Sequence, residues 1–131
     1  MSARVLVVDD IEQNRKLLSD KLKNEYFHVI TAVDGEDGVE KALAEEPDVI
    51  LMDIQMPVMG GIEAARRIRD HERLTGRAHT PIIALTANSM THQVAEYRAA
   101  GISGLVAKPI QASALVEALI AAVEDAGAAS A

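Results

Sequence analysis

The chain repeats one unit five times: a short aliphatic run, then a stretch with helical spacing. The runs are Val5-Leu6-Val7-Val8, His28-Val29-Ile30-Thr31-Ala32, Val49-Ile50-Leu51-Met52, Ile82-Ile83-Ala84-Leu85 and Leu105-Val106-Ala107. Aliphatic residues without polar alternation predict strands covered on both faces. Residues 11–24, 36–45, 62–74, 89–99 and 112–124 read as helices; in the first, Ile11, Leu17, Leu18 and Leu22 recur among Lys and Glu. Asp34-Gly35, Pro47, Gly60-Gly61, Pro81 and Gly101 punctuate the units. Strands joined by helices become a parallel sheet with helices on both faces. These units predict an α/β fold, a doubly wound five-stranded parallel sheet in the order 2-1-3-4-5 with five helices. No Pro- or Ser-rich linker divides the chain, so residues 1–125 read as one domain. Residues 126–131, all small, read as a flexible tail.

At 131 residues, 49% hydrophobic and 25% charged, the chain can bury a core without metal or disulfide staples. Tyr26, Phe27 and Tyr97 are its three aromatics, so the core must be aliphatic. A net charge of −7 repels phosphate backbones, and one Phe with no Trp supplies little base stacking. Nucleic acid is therefore not an expected partner. The absence of cysteine excludes disulfide scaffolds, thiol nucleophiles and cysteine-ligated zinc. The apolar runs fall far short of the ~20 residues a membrane span needs. Met1-Ser2-Ala3-Arg4 leads at once into a strand, leaving no room for a signal peptide. The expected setting is cytoplasmic, away from membranes, as a monomer or weak dimer.

Residues with useful chemistry collect in one kind of place. Asp9-Asp10, Asp53, Thr86 and Lys108 follow runs one, three, four and five, each at the C-terminal end of a strand. Ligands of open parallel sheets sit at that edge, where strand order reverses. In the flavodoxin-like order 2-1-3-4-5 the reversal lies between strands one and three, which carry all three aspartates. Three carboxylates brought together cannot all stay ionised without a cation. Hard oxygen ligands favour Mg²⁺. A carboxylate, a divalent cation, a lysine and a hydroxyl are parts that phosphoryl transfer uses, and a carboxylate can itself be the nucleophile. Singly, each residue has a plainer reading: Asp10 as a helix cap, Asp53 and Thr86 as turn residues, Lys108 as a solvated loop lysine. All of them in register at strand ends make a site.

The segments Val7-Val8-Asp9-Asp10, Asp53-Ile54-Gln55-Met56-Pro57-Val58-Met59-Gly60-Gly61, Leu85-Thr86-Ala87 and Ala107-Lys108-Pro109 resemble the motifs of response-regulator receiver domains of two-component signalling. The resemblance runs from about Ala3 to Val123. It implies that Asp53 accepts a phosphoryl group from the phosphohistidine of a histidine kinase or histidine phosphotransfer domain. It implies that Asp9, Asp10, Asp53 and the backbone carbonyl of Gln55 hold Mg²⁺. It implies that Thr86 and Lys108 contact the phosphoryl oxygens and that Lys108-Pro109 is a cis peptide. The donor is expected to approach over Ile11, Asn14, Pro109 and Ile110, and no external substrate is turned over. One position departs: such domains usually carry Tyr or Phe three residues before the lysine, where this chain has Leu105. A weaker response across helix four, strand five and helix five is expected from that change. Residues 72–80 and 85–90 resemble receivers of hybrid histidine kinases, and Val5 to Leu18 those that precede diguanylate cyclases. A stand-alone single-domain regulator fits as well.

Two other classes use similar parts. A Mg²⁺-dependent phosphatase would place its nucleophile in an Asp-x-Asp arrangement after strand one, where this chain reads Asp9-Asp10-Ile11. A pseudo-receiver would bind a partner without phosphorylation. Asp34-Gly35-Glu36-Asp37-Gly38 resembles half an EF-hand loop, but Val39 holds its sixth position, and it reads as a turn and first helical turn. No Gly-rich loop follows strand one, so nucleotide cradling is not expected. His28, His71, His79 and His92 share no ligand spacing and are expected at the surface. Met52, Met56, Met59 and Met90 are expected to pack, and Arg66, Arg67 and Arg69 to form a solvated helix face.

Overall fold

The structure is a computed structural model that describes residues 3–87 and 91–130. Its elements are β1 (Arg4–Val8), α1 (Glu12–Asn24), β2 (His28–Ala32), α2 (Gly35–Glu45), β3 (Val49–Asp53), α3 (Gly61–Thr75), β4 (Ile82–Thr86), α4 (Thr91–Ala99), β5 (Gly104–Ala107) and α5 (Ala112–Ser130). All strand pairs are parallel, in the order β2-β1-β3-β4-β5. The expected architecture is therefore the observed one.

Each aliphatic run serves two cores because successive strand side chains point to opposite faces. Val5, Val7, Val49, Leu51, Ile83 and Leu85 meet Leu18 and Leu22 of α1 and Leu115 and Leu119 of α5. Leu6, Val8, Ile50, Met52, Ile82 and Ala84 meet Ala42 of α2, Ala64, Ala65 and Ile68 of α3, and Tyr97 of α4. Fully burying one such Leu, Ile or Val side chain contributes about 1.5–3 kcal/mol. β3 and β4 are buried along their whole length, whereas β2, at the sheet edge, fully buries only Ala32. Register then sets the functional edge. Val8 pairs with Met52, so Asp9, one residue on, is level with Asp53. Thr86 pairs with Ala107, so Lys108 emerges beside it.

The cap position of α1 is Ile11, and Asp9 Oδ1 accepts the Ile11 N–H at 2.9 Å, so the plainer reading of Asp10 as a helix cap does not hold. That contact spans two residues, the reach of a short Asp side chain bonding the backbone ahead of it. Local structure departs from expectation in three places. Residues 126–130, set apart above as a tail, continue the backbone of α5 to Ser130. Alanine, the best helix former, supplies three of those five residues. Arg69 is not part of a solvated face; it is 5% exposed and ion-paired with the equally buried Glu72. Arg66 and Arg67 are exposed as expected. Finally, His71 is half-buried, whereas His28 and His79 are exposed; Met90 and the His92 side chain lie outside the described residues. Asp34 caps α2 by accepting the Asp37 N–H at 2.8 Å, as the turn reading of that segment predicts. Met52 and Met56 are buried and Met59 packs against the same core.

Candidate functional site

β1 ends and the chain turns into α1 at Asp9-Asp10; β3 ends at Asp53; β4 ends at Thr86; β5 delivers Lys108. Asp9 and Asp53 are 1% and 2% exposed, and Asp10 is half-buried. Carboxylate oxygens of Asp9, Asp10 and Asp53 lie within 4.8 Å of one another. Three acids so placed repel unless a cation joins them.

The polar contacts divide unequally among the three. Asp53 Oδ1 accepts Lys108 Nζ and the Gln55 N–H, both at 3.1 Å. Burial pushes the Asp9 carboxyl above its ordinary value, and the neighbouring Asp53 carboxylate adds to this. The Ile11 N–H, Lys108 and the Asn14 side chain pull the other way. Asp10 Oδ1 is buried with no hydrogen-bond partner among the described residues. A buried carboxylate oxygen left unpaired is costly, and a divalent cation satisfies it. An all-oxygen donor set of this kind fits Mg²⁺, with Asp9, Asp10 and Asp53 as the ligating side chains.

The backbone holds these groups in place. Lys108 N–H donates to the Thr86 carbonyl at 2.9 Å, tying the ends of β4 and β5. Lys108-Pro109 is cis, as the motif resemblance implies. The Ile54-to-Gly60 loop folds back over the end of β3, and Gly61 N–H reaches the Ile54 carbonyl at 3.1 Å. A Cβ at Gly61 would collide with the Asp53 carbonyl oxygen, which is why the motif needs glycine there. Thr86 is 4% exposed at the rim of the acid cluster, with its Oγ1 3.3 Å from the Tyr97 hydroxyl.

Of the four residues expected to meet the donor, Asn14, Pro109 and Ile110 come together. Asn14, Leu17, Lys108, Pro109 and Ile110 line a groove of about 290 Å³ beside Asp9, and Ile11 is 50% exposed at the start of α1. Leu105 is half-buried against the core formed by α2, α3 and α4.

Two features escaped the residue-level reading. Arg69 and Glu72 stand three residues apart on α3, a spacing that permits a pair but says nothing of its burial. Tyr97 stands three residues after Val94 and three before Ala100, an inward-facing spacing that forecasts burial but not contact with Thr86.

An acid cluster, a hydroxyl and a lysine thus gather on adjacent strand ends of one parallel sheet. Residues 5–120 match the response regulator receiver domain family, and the chain belongs to it. It is 42% identical over 110 residues to the response regulator PleD of Caulobacter vibrioides, covering 84% of this chain and 24% of PleD. It is 32% identical over 126 residues to the polar-differentiation response regulator DivK of Brucella ovis, covering 96% of this chain and all of DivK. The receiver domain of the sensor histidine kinase PA1611 from Pseudomonas aeruginosa superposes with a TM-score of 0.83 at 31% identity, covering 95% of this chain and 99% of that one; it was solved with magnesium coordinated in its active site cleft. The receiver domain of Saccharomyces cerevisiae Ssk1, solved with the histidine phosphotransfer protein Ypd1, superposes with a TM-score of 0.85 at 30% identity, covering 90% and 86% of the two chains. Among the described residues no helix is long and apolar enough to cross a membrane.

Proposed function

We propose that Asp53 accepts a phosphoryl group from a phosphohistidine on a histidine kinase or phosphotransfer protein, and that the new charge switches protein–protein contacts. The observation that carries this is the Lys108–Asp53 contact inside the acid cluster: one buried carboxylate faces both an ammonium and two further acids. Both hydrogen bonds to Asp53 fall on Oδ1, which orients Oδ2 as the attacking oxygen. The Oδ2–P bond forms as the donor's N–P bond breaks, the bonding pair stays on the donor nitrogen, and a phosphohistidine ring already protonated on its other nitrogen leaves as neutral imidazole. Lys108 moves its ammonium from Asp53 onto a phosphoryl oxygen, and the Thr86 hydroxyl donates to another. Asp9, Asp10, Asp53 and the Gln55 carbonyl would hold Mg²⁺, which when bound neutralises the charge of the transferring group. The magnesium of the PA1611 receiver supports that assignment.

The donor docks on the groove of Asn14, Pro109 and Ile110 and on exposed Ile11, because a phosphohistidine reaching Asp53 must pass there. The pairing of the Ssk1 receiver with Ypd1 supports a partner of that class. The domain turns over no external substrate, works in the cytoplasm as a monomer or weak dimer, and serves either alone or within a hybrid kinase or diguanylate cyclase. A strand-one nucleophile of the phosphatase kind is disfavoured, since Asp9 is buried and its Oδ1 is held by the Ile11 amide.

Mass spectrometry after incubation with Mg²⁺ and a small phosphodonor tests the proposal. One phosphate should appear on Asp53, and Asp53→Asn should fold normally and take up none. Acid-labile phosphate incorporated normally by the variant would sink it. Multiple turnover of a phosphate ester would revive the phosphatase.

A further inference from the structure

The end of the sheet away from Asp53 carries a second polar concavity. A cleft of about 500 Å³ opens between the C-terminal ends of α3 and α4, against the residues that lead into β4 and β5. Arg66, Arg69 and Arg73 of α3, Arg77 just beyond it and Arg98 of α4 line this cleft. Five of the chain's eight arginines thus meet in one place, with no lysine among them. Asp70 and Glu72 are the acids on its wall, which leaves a local surplus of three positive charges in a chain whose net charge is −7. Those acids are already engaged. Glu72 holds Arg69 and the Thr80 N–H. Asp70 pairs with Arg73, but both are exposed, and such a pair exchanges at little cost. Arg77 reaches the Leu43 carbonyl of α2. Arg66 and Arg98 have no hydrogen bond or ion pair among the described residues. The Gly101 carbonyl, which would repel an anion, is covered by Nε and Nη2 of Arg69.

We propose that this cleft binds a small ligand carrying two or more linked phosphate groups. A guanidinium is planar, always charged and able to meet phosphate oxygens with two donors at once, which suits arginine to this task better than lysine. The volume is that of a small-molecule site. Arg66 and Arg73 stand two helical turns apart, about 10 Å along α3, and Arg98 faces them from α4. A single phosphate cannot meet all three; a linked pair or short chain of phosphates can. The overall negative charge still repels a long phosphate backbone, whereas a ligand small enough to enter the cleft meets the local surplus. Among the described residues no aromatic side chain lines the cleft, so recognition falls on the phosphates and not on a stacked base. The site lies at the opposite end of the strands from Asp53, and the inference does not depend on the phosphoacceptor assignment.

Calorimetric titration with inorganic pyrophosphate, orthophosphate and ADP tests this, without divalent cations and at about 0.15 M salt, where attraction by distant surface charges is screened. Pyrophosphate should bind at one site, about 10-fold or more tighter than orthophosphate. Backbone amide shifts should fall on residues 66–79 and 96–103 and spare 9–14 and 53–61. Arg66→Gln and Arg98→Gln should each weaken binding about 10-fold, with little change in melting temperature because neither side chain holds a partner in the fold. Arg67→Gln, adjacent in sequence but outside the cleft, should leave binding unchanged. Tighter binding of ADP than of pyrophosphate identifies a nucleotide as the ligand, and equal binding a free polyphosphate. No binding at millimolar pyrophosphate overturns the proposal and leaves the arginines as counter-charges to helix C-termini. Equal weakening by Arg67→Gln overturns it too, since the attraction is then diffuse, as do shifts centred on the acid cluster. Tighter binding of an oligo-aspartate peptide than of pyrophosphate overturns it in favour of an acidic protein segment.

Discussion

Replacing Arg69 by methionine should be among the most damaging single changes in this domain. The guanidinium is buried on α3 and uses four of its five donors at short range: Nη1 on Glu72 Oε1 at 2.9 Å and the Thr80 carbonyl at 2.6 Å, and Nε and Nη2 on the Gly101 carbonyl at 2.9 and 2.8 Å. Glu72 Oε2 in turn accepts the Thr80 N–H at 2.9 Å. Burial alone pushes the Arg69 pKa down, and Glu72 opposes that shift. Space is matched as tightly: Gly101 has φ +92, and a Cβ there would stand 2.6 Å from Arg69 Cγ. Methionine keeps much of the volume but strands the Glu72 charge and two carbonyls. Removing one partner of a buried pair costs about 3–5 kcal/mol, against a total stability of about 5–15 kcal/mol for a domain. For a chain of this size that lowers the melting temperature by roughly 10–20 °C. Thr80 and Gly101 precede β4 and β5, so the loss also loosens the strands that present Thr86 and Lys108. Urea denaturation of Arg69→Met measures the cost, and Arg69→Met with Glu72→Leu should recover part of it, since no charge is then left buried. A single-variant loss below about 1 kcal/mol, the range of exposed pairs, would refute the reasoning.

The remaining expectations concern the acid cluster and its loop. Because burial raises the Asp9 pKa, its contribution to metal-free stability is fully present below the ordinary carboxylate value of 3.8 and is lost as pH rises through the raised native value. Asp9→Asn should therefore outlast the unaltered protein in thermal melts with chelator near neutral pH, with the advantage shrinking in acid; equal melting at neutral pH contradicts this. Mg²⁺ at a hundredfold excess over its dissociation constant should stabilise the fold by ~2.7 kcal/mol. Asp10→Ala should remove most of that rise, and an undiminished rise would mean that the orphaned Asp10 oxygen is not a ligand. Val58 adopts φ 67 with a fully exposed side chain, a left-handed conformation that β-branched residues resist. Val58→Asn should raise stability by about 1 kcal/mol, and chemical denaturation showing a loss would place a hidden role on that valine.

Strands buried on both faces write themselves locally, as unbroken aliphatic runs, and the polar residue that ends each run marks the sheet edge. That is why the five units, the parallel sheet and Asp9, Asp10, Asp53, Thr86 and Lys108 were all legible in one dimension. The turn at Asp34 was legible too, since a capping side chain reaches an amide only three residues away. Convergence of the site is different in kind. Asp53 meets Lys108 across 55 residues because β3, β4 and β5 pair in one register, which no local pattern encodes. Arg69 looked like its exposed neighbours Arg66 and Arg67 because helical spacing does not report what the next element brings; Thr80 and Gly101 arrive 11 and 32 residues later and enclose it. Tyr97 meets Thr86 for the same reason, through the way α4 brings it against β4, and the plainer reading of Asp10 as a cap fails because Ile11 holds that position. Local chemistry determined which residues could act; the pairing of strands and the packing of helices decided which of them touch.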